Sequence, residues 1–259
     1  MQIFIKLDKL KYKEFLKEIL KLNNQNIVFT PNPEILLKTQ TDIEFKELIN
    51  KASHLTPDGI GLYLAFQIID NNYAIINFLY LPYYLFNLFF RRKYLYSKYD
   101  RICGSDLTQD LILGAINKIK VTIIDLYNPS DTKKVKSQEK FPELVKQKFP
   151  GLKFDYFIYE ANKKENIIEI ISKSDSQILF STLMKRQEES VIEIMEKAKN
   201  IKLLGISSFD YFIFQKRAPK IFRTLGIEWL YRLLTPKKIN RLRRLWNAIF
   251  VFIYEVLKK

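Results

Sequence analysis

Hydrophobic positions along the chain switch between two periods. Short runs rich in β-branched and aromatic residues read as strands: Gln2 to Leu7, Asn26 to Phe29, Val121 to Leu126, Phe154 to Tyr159, Gln177 to Ser181 and Ile201 to Ile206. Between them, apolar residues recur every three or four positions, the mark of amphipathic helices, at Lys11 to Leu22, Asp42 to Lys51, Ser105 to Lys118, Lys134 to Lys148, Asn162 to Ser172 and Arg186 to Lys199. Strands that alternate with helices of roughly ten to fifteen residues build βαβ units. The pattern therefore predicts an α/β fold, with a Rossmann-like, mostly parallel sheet flanked by helices.

Two segments break this alternation. From Asn71 to Phe90 no residue is charged, and Tyr73 to Phe90 is dominated by aromatic and aliphatic side chains, followed at once by Arg91-Arg92-Lys93. The length is close to the roughly 20 residues that cross a bilayer. However, Asn77, Pro82 and Asn87 interrupt the run, and tyrosines beside arginines favour the headgroup boundary, so an in-plane or re-entrant element is preferred. A buried helix pair and a true span are the alternatives. The second segment is C-terminal, where Ile239, Leu242, Leu245, Trp246, Ile249, Phe250, Ile253 and Leu257 form an apolar stripe among basic residues. Such a helix fits an interfacial anchor; the alternative is a helix packed on its own core with a solvated basic face. The economical division is an α/β core over 1–215 with an apolar insertion at 71–93, then a basic, helical, membrane-docking appendage over 216–259.

Charge sharpens the second segment. The formal net charge is +15, and from Tyr211 onward twelve Lys and Arg stand against only Glu228 and Glu255. A block of this kind points to a polyanion. Its interleaving with lipid-suited apolar residues, and the absence of a nucleic-acid motif, favour an anionic membrane surface over nucleic acid. The first ten residues carry charges and no apolar h-region, which predicts a cytosolic start. With one Cys and one His, an internal disulfide framework, a Cys-based zinc site and a His cluster are excluded, and neither structural zinc nor Cys-His catalysis is expected. Chemistry is left to carboxylates, hydroxyls, amides and arginines. Cys103 and His54 take no functional role.

In a parallel sheet, ligands bind beyond the carboxyl ends of the strands. There the chain places Thr30-Pro31-Asn32-Pro33-Glu34, Thr182 to Glu188, and Ser207-Ser208-Phe209-Asp210. Each alone is also ordinary turn chemistry.

Taken in order, Thr30-x-Asn32, Thr56-Pro57-Asp58-Gly59-Ile60-Gly61, Arg101-x-x-Gly104-x-Asp106-Leu107, Gln187-Glu188, Phe209-Asp210, Arg217-Ala218-Pro219 and Gly226-Ile227-Glu228-Trp229-Leu230-Tyr231-Arg232 resemble the WecG/TagA/CpsF family, glycosyltransferase family 26. The resemblance covers nearly the whole chain. It implies an inverting transferase, without metal or other cofactor. The reaction moves an N-acetylhexosamine of the N-acetylmannosamine type from a UDP-sugar to a polyprenyl-pyrophosphate-linked sugar. It implies a peripheral position on the cytoplasmic face of the membrane, in cell-surface glycopolymer synthesis. It makes Asp58 the base that deprotonates the acceptor hydroxyl, a task a carboxylate performs when its surroundings raise its basicity. Without the resemblance, Asp58 reads as a turn-former or helix cap. By the same resemblance Thr30 and Asn32 bind the donor sugar or the acceptor. Arg101 lies in the substrate site, Gln187, Glu188 and Asp210 contact the nucleotide side, and Arg217 and Arg232 neutralise the leaving UDP.

Two departures from the family pattern stand out. The runs at Thr182 to Glu188 and Gly205 to Asp210 lack the glycine-rich turns the family places there, which motivates an alternative: a degenerate, non-catalytic partner in a glycan-assembly complex. The interval from Asp58 to Arg101 is also longer, by about the length of the uncharged segment, and reads as an insertion that strengthens membrane contact. A monomer and a homo-oligomer both remain open.

Overall fold

The computed structural model describes residues 11–58, 62, 65, 66, 68, 79, 82, 83, 86, 102, 104–126, 132–159, 164–181, 187–206, 218, 219, 221, 222, 231 and 246–257. In chain order the elements are α1 (Tyr12–Ile19), β1 (Asn26–Phe29), α2 (Pro33–Thr41), α3 (Ile43–Asn50), β2 (His54–Leu55), α4 (Gly104–Ala115), β3 (Val121–Leu126), α5 (Thr132–Lys148), β4 (Phe154–Tyr159), α6 (Lys164–Lys173), β5 (Ile178–Ser181), α7 (Gln187–Lys197) and β6 (Leu203–Ile206). A π-helical turn (Asn247–Val251) then leads into α8 (Phe252–Leu257).

The strands expected at Asn26, Val121, Phe154, Gln177 and Ile201 all form, the last two starting one and two residues later than the pattern suggests. The stretch from Gln2 to Leu7 lies outside the described residues. Two elements were not anticipated. The run after β1, read as a turn, opens α2: Asn32 has extended backbone and its Oδ1 accepts from the Ile35 N–H at 3.1 Å, while Pro33 occupies the first helical position. Proline suits that position because its missing N–H would have no intrahelical partner there. The second is β2, too short at two residues to show a period.

Six described strands form one sheet in the order β2-β1-β6-β5-β3-β4, with every neighbouring pair parallel. Right-handed crossovers then decide the helix faces. One face carries α2, α3, α6 and α7, whose Leu36, Phe45, Ile49, Ile168, Ile171 and Met195 pack with Phe29, Ile124 and Leu179 of the strands. The other carries α1, α4 and α5, whose Phe15, Ile19, Leu111, Ile112, Phe141 and Val145 pack with Val28, Ile123 and Phe180. Neighbouring strand residues such as Val28 and Phe29, or Ile123 and Ile124, therefore serve opposite cores, as the pleat requires.

The described C-terminal segment joins the first of these cores. Phe252, Ile253 and Val256 are buried in it, and α8 and the π-helical turn lie against α2. The apolar stripe thus has an inward side that packs as a core helix, while Trp246, Phe250 and Tyr254 stay exposed. The basic stretch 232–245 lies outside the described residues, as does most of 71–93. Among the described residues no helix is long and apolar enough to cross a membrane.

Candidate active site

Because all six strands are parallel, their carboxyl ends open on one side of the sheet. Beyond β1 and β2 the two chains continue side by side. The register pairs Phe29 with Leu55, the Thr56 N–H donates to the Phe29 carbonyl at 2.9 Å, and the Asp58 N–H donates to the Pro31 carbonyl at 3.0 Å. These bonds extend the ladder past the strands, so Thr30 to Asn32 lie alongside Thr56 to Asp58. Pro31 and Pro57, both buried, restrict the backbone on each side of the pairing, and Asp58 is half-buried.

The start of α4 closes on the same place. A Cβ added to Gly104 would lie 2.7 Å from Thr30 Oγ1, so any side chain there would force the threonine or the helix start to shift. The Thr108 hydroxyl donates to the Gly104 carbonyl at 2.8 Å. The α4 N-terminus, with Asp106 in its first turn, is therefore placed against the loop after β1. Asn32 spends its Oδ1 on capping α2, and its Nδ2 has no partner among the described residues. The Thr30 hydroxyl likewise has none among them. Two neutral hydrogen-bonding residues and a carboxylate residue thus lie on two adjoining chain segments beyond the strand ends.

A second opening lies further along the sheet. Neighbours β3 and β5 send their chains in opposite directions, β3 through α5 to β4 and β5 through α7 to β6. Such a switch point leaves a crevice at the carboxyl ends of the strands. The loops 127–131 and 182–186 that border it lie outside the described residues. Gln187 and Glu188 form the first turn of α7 directly after that gap, where free backbone N–H groups suit phosphate. Arg101, Asp210, Arg217 and Arg232 lie outside the described residues.

Two groups near these openings, Thr56 and Asp125, have no role assigned from the sequence. Thr56 is fully buried, and its Oγ1 has no hydrogen-bond partner among the described residues. Asp125, near the end of β3, is buried and accepts from Gln138 Nε2 at 2.9 Å and from the Tyr156 hydroxyl at 3.3 Å. An acid inside an otherwise apolar strand was the signal available, but its partners come from α5 and β4, too far away in sequence to be paired by inspection. His54 of β2 sets its ring edge-to-face against Phe15 of α1 at 5.2 Å, a packing contact.

Comparison with known proteins decides the lineage of this arrangement. The model of the glycosyl transferase WecG/TagA/CpsF family matches residues 1–77 and 89–259. The chain belongs to the WecG/TagA/CpsF glycosyltransferase family. Relatives from Staphylococcus aureus strains NCTC 8325, N315 and MRSA252 are each 26% identical over 241 residues, covering 91% of this chain and 81% of the relative. All three are N-acetylglucosaminyldiphosphoundecaprenol N-acetyl-beta-D-mannosaminyltransferases. The match skips 78–88, inside the uncharged segment that the sequence marks as additional to the WecG/TagA/CpsF pattern.

Proposed function

We propose that this family member transfers an N-acetylhexosamine of the N-acetylmannosamine type from a UDP-sugar to a polyprenyl-diphosphate-linked sugar, with inversion and without a metal. The observation that carries the reading is the side-by-side course of Thr30 to Asn32 and Thr56 to Asp58, held by the bond from the Asp58 N–H to Pro31 and overhung by the start of α4. The relatives' activity supports the choice of sugar and acceptor.

In this reading Asp58 takes the proton from the acceptor hydroxyl as its oxygen attacks the anomeric carbon. The bond between that carbon and the β-phosphate oxygen breaks, and UDP leaves. Thr30 Oγ1 and Asn32 Nδ2 orient the sugar. Both are neutral, which lets them grip hydroxyl and acetamido groups without competing with Asp58 for the proton. Ends of strands two places apart lie about 10 Å from each other, so a nucleotide sugar reaches from the β1–β2 end to the α7 N-terminus beyond β5. Backbone N–H groups of α7, with Arg101, Arg217 and Arg232, meet the charge of the departing diphosphate, and Gln187, Glu188 and Asp210 hold the nucleotide. The acceptor is a membrane lipid, so the protein works as a peripheral enzyme at an anionic cytoplasmic surface.

The test is transfer from UDP-N-acetylmannosamine to a short-chain N-acetylglucosaminyl diphospholipid by the wild type and by Asp58→Asn. The substitution keeps the shape and removes the base, so kcat falls by about 10²- to 10⁴-fold with unchanged folding. A variant with wild-type turnover removes Asp58 from the role. No transfer and no UDP binding by the wild type would favour the degenerate, non-catalytic reading that the glycine-poor runs at Thr182 to Glu188 and Gly205 to Asp210 suggest.

A further inference from the structure

Among the described residues Asp125 is the only buried carboxylate, and it stands next to last in β3, at the rim of the crevice between β3 and β5. Burying a carboxylate is costly unless hydrogen bonds compensate. It accepts from Gln138 Nε2 at 2.9 Å and from the Tyr156 hydroxyl at 3.3 Å, and both bonds end on the same oxygen, Oδ2. One atom at the end of β3 is thus tied to α5 and to β4 at once. Tyr156 in turn stacks its ring on Phe141 of α5, with 4.7 Å between centroids and 24° between planes.

The position of these ties along α5 gives them a use. Pro142 lies inside the helix, four residues after Gln138. It has no N–H to give the Gln138 carbonyl, and its ring crowds that carbonyl, so the bond that would join the two parts of the helix at this point cannot form. Val145 holds the part beyond the proline in the core. The part before it, which starts at Thr132 on the carboxyl side of the sheet, is tied to the strands by Gln138 and Asp125. The α7 start lies on the same side but on the other face, so the two helix starts flank the crevice. We propose that Asp125 is a positioning residue for the donor nucleotide: with Gln138 and Tyr156 it sets where the first part of α5 stands beside the crevice. This rests on the nucleotide-sugar reading above and adds to it a residue that the WecG/TagA/CpsF resemblance does not supply.

The experiment is UDP binding by calorimetry, with donor and acceptor KM measured beside it, for the wild type, Asp125→Ala, Asp125→Asn and Tyr156→Phe. Asp125→Ala weakens UDP binding and raises donor KM by about 2- to 30-fold, while acceptor KM does not move. Asn carries one oxygen that can take the Oδ2 place, so Asp125→Asn keeps both bonds and recovers most of the affinity. Tyr156→Phe deletes one bond with little change of shape. It gives a smaller loss in the same direction and carries the test if Asp125→Ala does not fold. Pro142→Ala restores the missing helix bond, so in that background Asp125→Ala loses less UDP affinity. A merely structural role lowers the melting temperature of Asp125→Ala and Tyr156→Phe without moving UDP affinity or separating the two KM values, and that result overturns the proposal. So does a loss in Asp125→Asn as large as in Asp125→Ala, which would assign the effect to the charge. A wild type that binds no UDP overturns the donor reading and this inference together, whereas binding that the wild type and all variants share overturns this inference alone.

Discussion

Gly104, the first residue of α4, lies so close to Thr30 that a methyl group on it would stand 2.7 Å from the Thr30 hydroxyl oxygen, 3.5 Å from its Cβ and 3.6 Å from its Cγ2. The contact joins a helix start to the loop after β1, and a single substitution reads it. Gly104→Ala forces the threonine or the helix to shift and lowers stability by about 1–3 kcal/mol, partly offset by the better helix propensity of alanine. Thr30→Ala empties the space the new methyl needs, so the double variant is more stable than the sum of the single effects, with a coupling of about 0.5–3 kcal/mol. Urea denaturation of the four proteins measures it. Additive effects would mean that the two residues do not touch.

Thr56 makes the opposite prediction, because a change there removes a cost. Its buried hydroxyl finds no partner among the described residues, and an unsatisfied buried hydroxyl costs about 1–3 kcal/mol. Thr56→Val keeps the shape and deletes the oxygen. Stability is expected to stay level or rise, and a fall of more than about 1 kcal/mol in urea denaturation would show that the hydroxyl is bonded after all.

At the opposite end of the sheet from the candidate site, Lys120, just before β3, bridges its two neighbouring strands, reaching Asp155 of β4 at 2.9 Å and Asp175 ahead of β5 at 2.8 Å. The hydrogen bond to Asp175, then that to Asp155, raises the Lys120 pKa above its ordinary value, and the bond from Lys120 lowers that of Asp175. For the lysine, whose folded pKa is raised, the stability gained is full below the unfolded value and is lost as pH rises through the folded one. For Asp175, whose folded pKa is depressed, it is present above the unfolded value and is lost as pH falls through the folded one. The gap in denaturation midpoint between the wild type and Lys120→Met is therefore widest at middle pH. It narrows below the ordinary aspartate range and again above the ordinary lysine range, and it shrinks in high salt. Transfer activity, at the other end of the strands, is expected to be unaffected. A gap independent of pH would show that the ion pairs contribute nothing.

The sheet was legible because its strands serve two cores at once. Val121 to Leu126 is continuously apolar apart from Thr122 and Asp125, and such a run has few other uses in a soluble α/β chain. What escaped the sequence had short or mixed signals. β2, at two residues, has no period, and its place at the edge beside β1 follows only from the hydrogen bonds to Val28, Phe29 and Pro31. The α2 start was hidden because Asn32-Pro33 serves a turn as readily as a cap, and the deciding fact is the Ile35 N–H at Asn32 Oδ1. Within the site, the order of motifs gave Thr30, Asn32 and Asp58 as members of one group. It gave no hint that Gly104 touches Thr30, because residues so far apart in sequence meet only once the sheet is assembled. The C-terminal stripe carried two messages that periodicity superimposed: Phe252, Ile253 and Val256 pack inward, while Trp246, Phe250 and Tyr254 face out.

The strand order also fixes when the site can exist. β1 has two neighbours: β2, which follows it closely in the chain, and β6, whose Leu203 pairs with Asn26. Strands β3, β4 and β5 pair among themselves and reach β1 only through β6. During synthesis, which runs from the N-terminus, Thr30, Asn32 and Asp58 leave the ribosome early but sit on a two-strand fragment with no inner neighbour. That fragment gains its place in the sheet only after Leu203 to Ile206 has been made and inserted between β1 and β5. The residues proposed to handle the sugar are thus among the first to be made, and their strands gain an inner neighbour only once β6 has closed the sheet.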